Sequence, residues 1–206
     1  FMLFIDLDSK KVSIIQSLFF SLGYFSVGTY WLQNVINNFA DINYFLTMTI
    51  IVIFTIYLSL FVVLPVIITT ILNQNLKINK SFLLIILTIL ITFFEIARGY
   101  IFSGFSWLNF GQAAINTPLD YFFPVFGVHG LTFIIFLISI IFINIIKSEN
   151  RNFFISLTII LVIIYLGIFN KNWTYLTNKD INVFIVKPNI KNKIIYSDND
   201  ILNRIK

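Results

Sequence analysis

Residues 95–130 read EIARGYIFSGFSWLNFGQAAINTPLDYFFPVFGVHG, and they interrupt a chain that is otherwise almost wholly apolar. The stretch joins two apolar segments, yet it contains a carboxylate at Glu95, a guanidinium at Arg98, a tryptophan at Trp107 and several amides and glycines. Ionisable groups at membrane depth are costly and are usually retained for a function. This stretch is therefore the candidate functional site.

The composition indicates an integral membrane protein. Of the 206 residues, 58% are hydrophobic and 11% are charged, whereas soluble domains carry about 25% charged residues. The net charge of +5 does not indicate a nucleic-acid partner, because basic residues in membrane proteins mostly set topology. The absence of cysteine excludes a disulfide, a thiolate metal site and a cysteine nucleophile within these residues. No phosphate-binding loop, zinc motif or serine-nucleophile elbow is present, and we expect no cofactor.

Apolar runs predict an all-α polytopic membrane bundle over residues 1–170. Lipid cannot satisfy an open backbone, so each spanning segment is expected to be a helix. The last two predicted segments are close to the lower limit of about 17 residues for a membrane span. The five predicted spans are 13–36, 44–72, 81–102, 130–146 and 153–169.

The distribution of basic residues predicts the orientation of the bundle. Alternate loops carry the basic side chains Lys10, Lys11, Lys77, Lys80, Lys147 and Arg151. The loops 37–43 and 106–128 carry neither lysine nor arginine. By the positive-inside rule the first set is cytoplasmic, so the Trp107 loop and the residues after about 170 are expected on the outer side.

The tail, residues 171–206, differs in sequence pattern from the apolar spans before it. The apolar run 183–186 predicts a β-strand that ends at Pro188 and Asn189. Ser197 is predicted to be the N-cap of a following helix. We expect the tail to be the first strand and helix of a truncated α/β domain, and both ends of the chain to lie inside a longer protein.

Two groups of residues in the 95–130 stretch carry alternative interpretations. Glu95 and Arg98 are three apart on a helix, so they can pair. The pair is either merely tolerated there, or Arg98 binds a lipid phosphate or positions the loop that follows. Gly104, Phe105 and Trp107 form either an ordinary aromatic belt or a loop that lines a lipid-entry cavity.

Residues 95–112, EIARGYIFSGFSWLNFGQ, resemble the pattern E-x-x-R-G-x-x-F-T-G-F-P-W-L-x-x-G-Y-x-Q of the bacterial apolipoprotein N-acyltransferase family. The resemblance continues through Pro124 and the sequence GVHG at 127–130. It extends to VFIVKPNI at 183–190, which is similar to the family's V-x-L-V-Q-x-x-I. Ser106 and Lys187 depart from the usual proline and glutamine, and 195–196 departs from the usual Lys-Trp pair.

The resemblance implies eight membrane spans and a nitrilase-like domain with a Glu-Lys-Cys triad. The triad positions would follow Lys206, so no catalytic residue can be assigned in this chain. The implied reaction passes through a thioester, with a phospholipid as acyl donor and the diacylglyceryl-cysteine of an apolipoprotein as acceptor, at the outer face of the bacterial cytoplasmic membrane. The candidate substrate-binding or lipid-binding residues are Glu95, Arg98, Gly104, Phe105, Trp107, Asn109 and Tyr196.

Three other functions remain open from the sequence. The helical part could be a related membrane module of a polyprenol-phosphate mannosyl transferase. A transporter bundle would show internal repeats and polar residues near the bilayer midplane, and neither is evident. An inactive fragment of the acyltransferase family is the third alternative.

Overall fold

The computed structural model describes residues 5–40, 42–76, 78–147, 151–169 and 183–185. Throughout the first four of these ranges the chain is built from α-helices, joined by short turns except for the longer connection at residues 99–122. The helices are α1 Lys10–Thr29, α2 Leu32–Ala40, α3 Tyr44–Leu76, α4 Lys80–Arg98, α5 Phe123–Lys147 and α6 Arg151–Phe169. Three short 3-10 turns, Ile101–Ser103, Phe110–Ala114 and Pro118–Phe122, connect α4 to α5.

Four helical segments in the described residues are long and apolar enough to cross a membrane. They are Lys10–Thr29, Tyr44–Leu76, Lys80–Arg98 and Pro118–Ile145. The fifth predicted span, 153–169, corresponds to α6, in which the apolar stretch Leu157–Leu166 is shorter. The predicted multi-pass helical bundle is thus confirmed, and the crossing by α6 stays a prediction.

The structure divides the predicted span 13–36 into two helices. The chain turns at Tyr30 and Trp31, between the end of α1 and the start of α2. Helix α2 carries the polar residues Gln33, Asn34, Asn37 and Asn38, which suit a membrane boundary better than its interior. Asn37 Oδ1 accepts a hydrogen bond of 2.7 Å from Thr47 Oγ1 and so ties α2 to the start of α3.

A stripe of small hydroxyl residues lets α1 approach α3 closely. The buried positions of α1 recur every fourth residue, on one face of the helix. Most of the hydroxyls bond a carbonyl of their own helix, as Ser17 does with Ile14 and Thr29 with Phe25. Ser13 instead bonds the carbonyls of Asp6 and Ser9, and Thr29 Oγ1 also lies 3.4 Å from Thr55 Oγ1 of α3. Small side chains at such spacing permit tight packing in membranes. The stripe comprises Ser13, Ser17, Ser21 and Thr29, and Phe25 occupies the remaining buried position of the series.

Helices α3, α4, α5 and α6 pack in sequence order, each against its neighbour. The largest apolar cluster joins α3, α4 and α5 through buried leucine, isoleucine and valine side chains, among them Val66, Leu87 and Ile140. Because successive helices are antiparallel, the ends of α1, α4 and α6 and the starts of α3 and α5 lie together. We call this end, which carries residues 99–122, the loop end of the bundle.

Two boundaries of the loop differ from the predicted ones. Helix α4 ends at Arg98 rather than at 102, since residues 101–103 form a 3-10 turn with Phe102 at φ 52°. Helix α5 begins at Phe123, seven residues before the predicted start at 130, and contains a non-helical Gly127 at φ 63°. In the predicted strand, residues 183–185 have no regular secondary structure, and the remaining residues of the predicted strand and helix lie outside the described ranges.

Candidate functional site

The loop after α4 folds back on the helix it leaves. The amide of Phe105 donates a hydrogen bond of 3.0 Å to the carbonyl of Arg98. Gly104 makes this return possible: it has φ 79°, and a Cβ there would lie 2.0 Å from the carbonyl oxygen of Gly99. Left-handed backbone geometry and a contact of this kind both favour glycine. Gly104 is therefore a turn residue.

Arg98 is buried beneath this loop. Its side chain is 2% exposed, and Nη2 donates to the carbonyl oxygens of Trp107 and Leu108 and to Oδ1 of Asn109, at 3.1, 3.2 and 2.6 Å. The guanidinium also lies over the ring of Phe25, 5.1 Å from its centroid, a favourable cation–π arrangement. A single guanidinium thus holds three successive loop residues against the bundle.

Glu95 lies one helical turn before Arg98 and holds the next part of the loop. Its carboxylate is buried and accepts hydrogen bonds from the amide of Phe110 at 2.7 Å and from Thr132 Oγ1 at 2.5 Å. The predicted pairing with Arg98 is present, but Nη2 and Oε1 are 3.9 Å apart. Because the loop contacts are shorter than the ion pair, the two charges serve the loop more directly than they serve each other.

Leu108 has a strained conformation at the centre of this segment. Its φ is 60°, which is uncommon for a residue other than glycine, asparagine or aspartate. Its carbonyl accepts from Tyr24 as well as from Arg98, at 3.3 and 3.2 Å. Its side chain fills the space above Gly28, where a Cβ would lie 2.4 Å from Leu108 Cδ1. The surrounding contacts maintain a conformation that the residue does not favour by itself.

Trp107 is the exposed member of the segment. Its side chain is 59% exposed, although its carbonyl is held by Arg98. The indole stacks on Trp31, at the α1–α2 turn, with ring centroids 5.0 Å apart. Phe105 makes an edge contact with Phe54 of α3 at 5.0 Å. We call the buried contacts of Arg98 and Glu95 with the loop the brace. The brace thus supports a pair of tryptophans at the surface of the loop end.

Two apolar cavities open beside these residues. The smaller, of about 340 Å³, lies between α1, α2 and α3 and is lined by Tyr30, Gln33 and Thr55 among others. Tyr30, in the wall of this cavity, directly precedes Trp31 in the chain. The larger, of about 910 Å³, lies between α4, α5 and α6, with His129 in its wall. His129 Nδ1 is 3.5 Å from Glu95 Oε2, beyond the usual hydrogen-bond range.

The structure brings six of the seven predicted site residues together. Glu95 and Arg98 of α4 and Asn109 of the loop are buried, whereas Phe105 contacts α3 and Trp107 contacts the α1–α2 turn. Gly104 provides the turn, and Tyr196 lies outside the described residues. Over the described ranges there is no group of three or more His, Cys, Asp or Glu residues that could hold a metal ion.

Several residues of the site were not predicted. Thr132 bonds Glu95 and the loop, Tyr24 bonds Leu108, and Gly28 accommodates the side chain of Leu108. Thr132 carried one usable signal: a polar residue in an apolar span, where polar groups need a partner. These features describe a class of protein, a multi-pass helical membrane protein in which a buried ionic brace fixes an aromatic loop at one end of the bundle.

The chain belongs to the apolipoprotein N-acyltransferase family. Residues 1–141 match the model described as the apolipoprotein N-acyltransferase N-terminal domain. The apolipoprotein N-acyltransferase of Haemophilus ducreyi is 31% identical over 145 residues, which are 70% of this chain and 27% of that protein. The proteins of the same name from Haemophilus influenzae and Pasteurella multocida are 29% and 26% identical and match 77% and 90% of this chain.

The chain spans about a third of the length of these relatives, between 27% and 36% of each. The match covers the brace, the loop and the tryptophan pair, which all lie within residues 1–141. No solved structure matches the chain.

Proposed function

We propose that the protein transfers an acyl chain from a membrane phospholipid to the α-amino group of the diacylglyceryl-cysteine that begins an apolipoprotein. Family membership supports this assignment. The observation that carries it furthest is the braced loop with its exposed tryptophan. Arg98 and Glu95 are buried at 2% and 4% exposure, yet the Trp107 they support is 59% exposed. Burying two charges costs free energy. That cost supports a functional reason for fixing this loop, namely that its exposed surface contacts substrate.

We assign the entry of the donor acyl chain to the smaller cavity between α1, α2 and α3. Its wall includes Tyr30, which directly precedes the Trp31 that stacks on Trp107. Tryptophan side chains favour the headgroup level of a membrane, and apolar lining favours the chain below it. In this arrangement the headgroup lies against the tryptophans and one acyl chain extends along α3. Tyr196 stays a candidate for the mouth of the same cavity.

We assign positioning roles to the buried members of the site. The guanidinium of Arg98 donates to three acceptors of the loop. This supports a role in positioning the loop rather than in binding a lipid phosphate. Asn109 completes that contact, and Gly104 turns the loop back on α4. Phe105 packs the loop on α3.

The chemical step is proposed to use residues that are not in this sequence. A thioester needs a cysteine, and these 206 residues contain none. A glutamate base, a lysine that stabilises the oxyanion and the cysteine nucleophile would belong to a nitrilase-like domain that opens at about residue 171. The absence of lysine and arginine from 106–128 supports placing the loop end, and that domain, on the periplasmic side of the cytoplasmic membrane.

Acyl transfer by the intact gene product tests this proposal. The protein would be reconstituted with phosphatidylethanolamine vesicles and a synthetic lipopeptide that begins with diacylglyceryl-cysteine. Mass spectrometry should show the lipopeptide heavier by one acyl chain, and an equal amount of lysophospholipid. An unmodified lipopeptide from a folded protein with a complete triad would contradict the proposal.

The variant Trp107→Ala tests the assignment of the tryptophan pair. We expect kcat/KM to fall roughly fivefold, because a stacked aromatic contact is worth about 1 kcal/mol. Tyr100→Ala is the matched control, since Tyr100 is an exposed aromatic residue of the same loop, 81% exposed. Equal activity of the Trp107→Ala variant and the wild type would remove the pair from the substrate surface.

A further inference from the structure

Thr132 connects three elements through one hydroxyl group. A hydroxyl offers one donor and two acceptor sites. Its oxygen is 2.5 Å from Glu95 Oε2 and 3.3 Å from the carbonyl oxygen of Val128, so the shorter contact with the carboxylate takes the proton. The same oxygen accepts the amide of Gly111 at 2.8 Å. Helix α4, helix α5 and the loop therefore meet at this side chain.

The loop also rests directly on α5 at this point. A Cβ at Gly111 would lie 1.9 Å from the carbonyl oxygen of Val128 and 2.9 Å from the amide of Thr132. The backbone of the loop thus contacts the backbone of α5, with no space for a side chain between them. The hydroxyl of Thr132 accepts the amide of Gly111 at that contact. This bond fixes the position of Gly111 along α5.

The hydroxyl and the guanidinium hold opposite ends of one short segment. Arg98 binds the carbonyl oxygens of Trp107 and Leu108, and Glu95 with Thr132 binds the amides of Phe110 and Gly111. A segment that contains Leu108 at φ 60° would relax if either end were released. The position of Trp107 therefore depends on both ends.

We propose that Thr132 is a positioning residue: it anchors Gly111 on α5 and thereby sets where Trp107 lies at the lipid-facing surface. This inference rests on the proposed acyl transfer. Since Thr132 is itself fully buried and bonds the amide of Gly111, which follows Trp107 in the same loop segment, it acts through the backbone. Loss of its hydroxyl should raise KM for the phospholipid and leave kcat nearly unchanged.

The test compares Thr132→Val, which removes the hydroxyl, with Thr132→Ser, which retains it, in the intact gene product in lipid nanodiscs. Amide hydrogen exchange of the 107–111 segment should be roughly fivefold faster in Thr132→Val, because Gly111 and Phe110 lose a shared support. KM for phosphatidylethanolamine should rise by a similar factor. Thr132→Ser should restore both values.

Thr88→Val is the matched control. Thr88 is a fully buried threonine of α4, and its hydroxyl bonds the Leu84 carbonyl of its own helix, at 2.9 Å. The Thr88→Val variant should change neither amide hydrogen exchange of the 107–111 segment nor KM for phosphatidylethanolamine. If Thr132→Val does not insert or fold, Thr132→Ala gives the same comparison with a smaller side chain.

Each outcome decides the inference. Unchanged exchange in a folded Thr132→Val protein overturns the anchoring of the loop. Faster exchange with unchanged KM shows a purely structural contact and overturns the positioning role. If the wild type transfers no acyl chain, the proposed function fails, while the exchange data still show whether Thr132 anchors Gly111.

Discussion

The α1–α3 interface and the α4–loop–α5 interface both bury polar side chains in an apolar bundle, but they use them differently. At the first, most hydroxyls bond a carbonyl of their own helix, as Ser21 does with Leu18, and Thr29 Oγ1 also lies 3.4 Å from Thr55 Oγ1 of α3. At the second, Arg98, Glu95 and Thr132 bond groups that belong to other elements. The first arrangement mainly satisfies polar groups within one helix, whereas the second determines where a loop lies. Burial of a polar residue alone does not reveal its purpose; the partner does.

Of the changes considered at these two interfaces, replacing Arg98 should lower the free energy of unfolding the most. Arg98→Met keeps a long side chain but withdraws three hydrogen bonds from the loop and leaves the carboxylate of Glu95 without a neighbouring positive charge. Removing one partner of a buried ionic group costs about 3–5 kcal/mol. The free energy of unfolding in detergent should fall by that amount.

A double variant separates the two causes of this loss. Combining Arg98→Met with Glu95→Gln removes the unpaired charge, so the double variant should be more stable than Arg98→Met alone. If the single variant is as stable as the wild type, the guanidinium does not support the loop and the contrast between the two interfaces is mistaken.

Gly104→Ala should have the next largest effect. The residue has φ 79°, and the added Cβ would meet the carbonyl oxygen of Gly99 at 2.0 Å. Left-handed geometry in a residue with a side chain costs roughly 1–3 kcal/mol, and the backbone contact adds to it. Unfolding measurements should therefore show a loss of at least about 2 kcal/mol.

Gly23→Ala provides the control for glycine replacement. Gly23 lies in α1, and a Cβ there meets nothing within 4 Å. Alanine in a helix interior is more favourable than glycine by roughly 0.5–1 kcal/mol, so this variant should be as stable as the wild type or more so. Similar losses at the two positions would show that the turn at Gly104 is not the cause.

The sequence alone predicted the membrane helices better than the loop that joins them. Uninterrupted apolar runs define α3 and α4 because lipid imposes the same demand on every spanning residue. The division of 13–36 was missed because Trp31 and Val35 continue the apolar pattern, and the turn depends on contacts with a loop near residue 107. Hydropathy describes the lipid-facing surface and carries no information about such a contact.

The candidate site could be predicted in part for a similar reason. Helical spacing places Glu95 and Arg98 on one face, so their proximity followed from the sequence. Their partners did not follow, because Thr132 is 37 positions from Glu95 and Tyr24 is 84 positions from Leu108. A hydrogen bond between distant positions depends on how the helices pack, which local patterns do not specify.

The smallest effect is expected from Ser21→Ala, and it completes the comparison. Ser21 is fully buried, but its hydroxyl bonds a carbonyl that already belongs to the helix ladder, at 3.1 Å. Its removal leaves no buried group without a partner, so the free energy of unfolding should change by less than about 0.5 kcal/mol. Thr132→Val removes the same chemical group but leaves the Gly111 amide and a carboxylate oxygen without it, which costs about 1–3 kcal/mol. The two variants should be measured side by side. Equal losses of unfolding free energy would show that burial of the hydroxyl matters more than the element that it bonds.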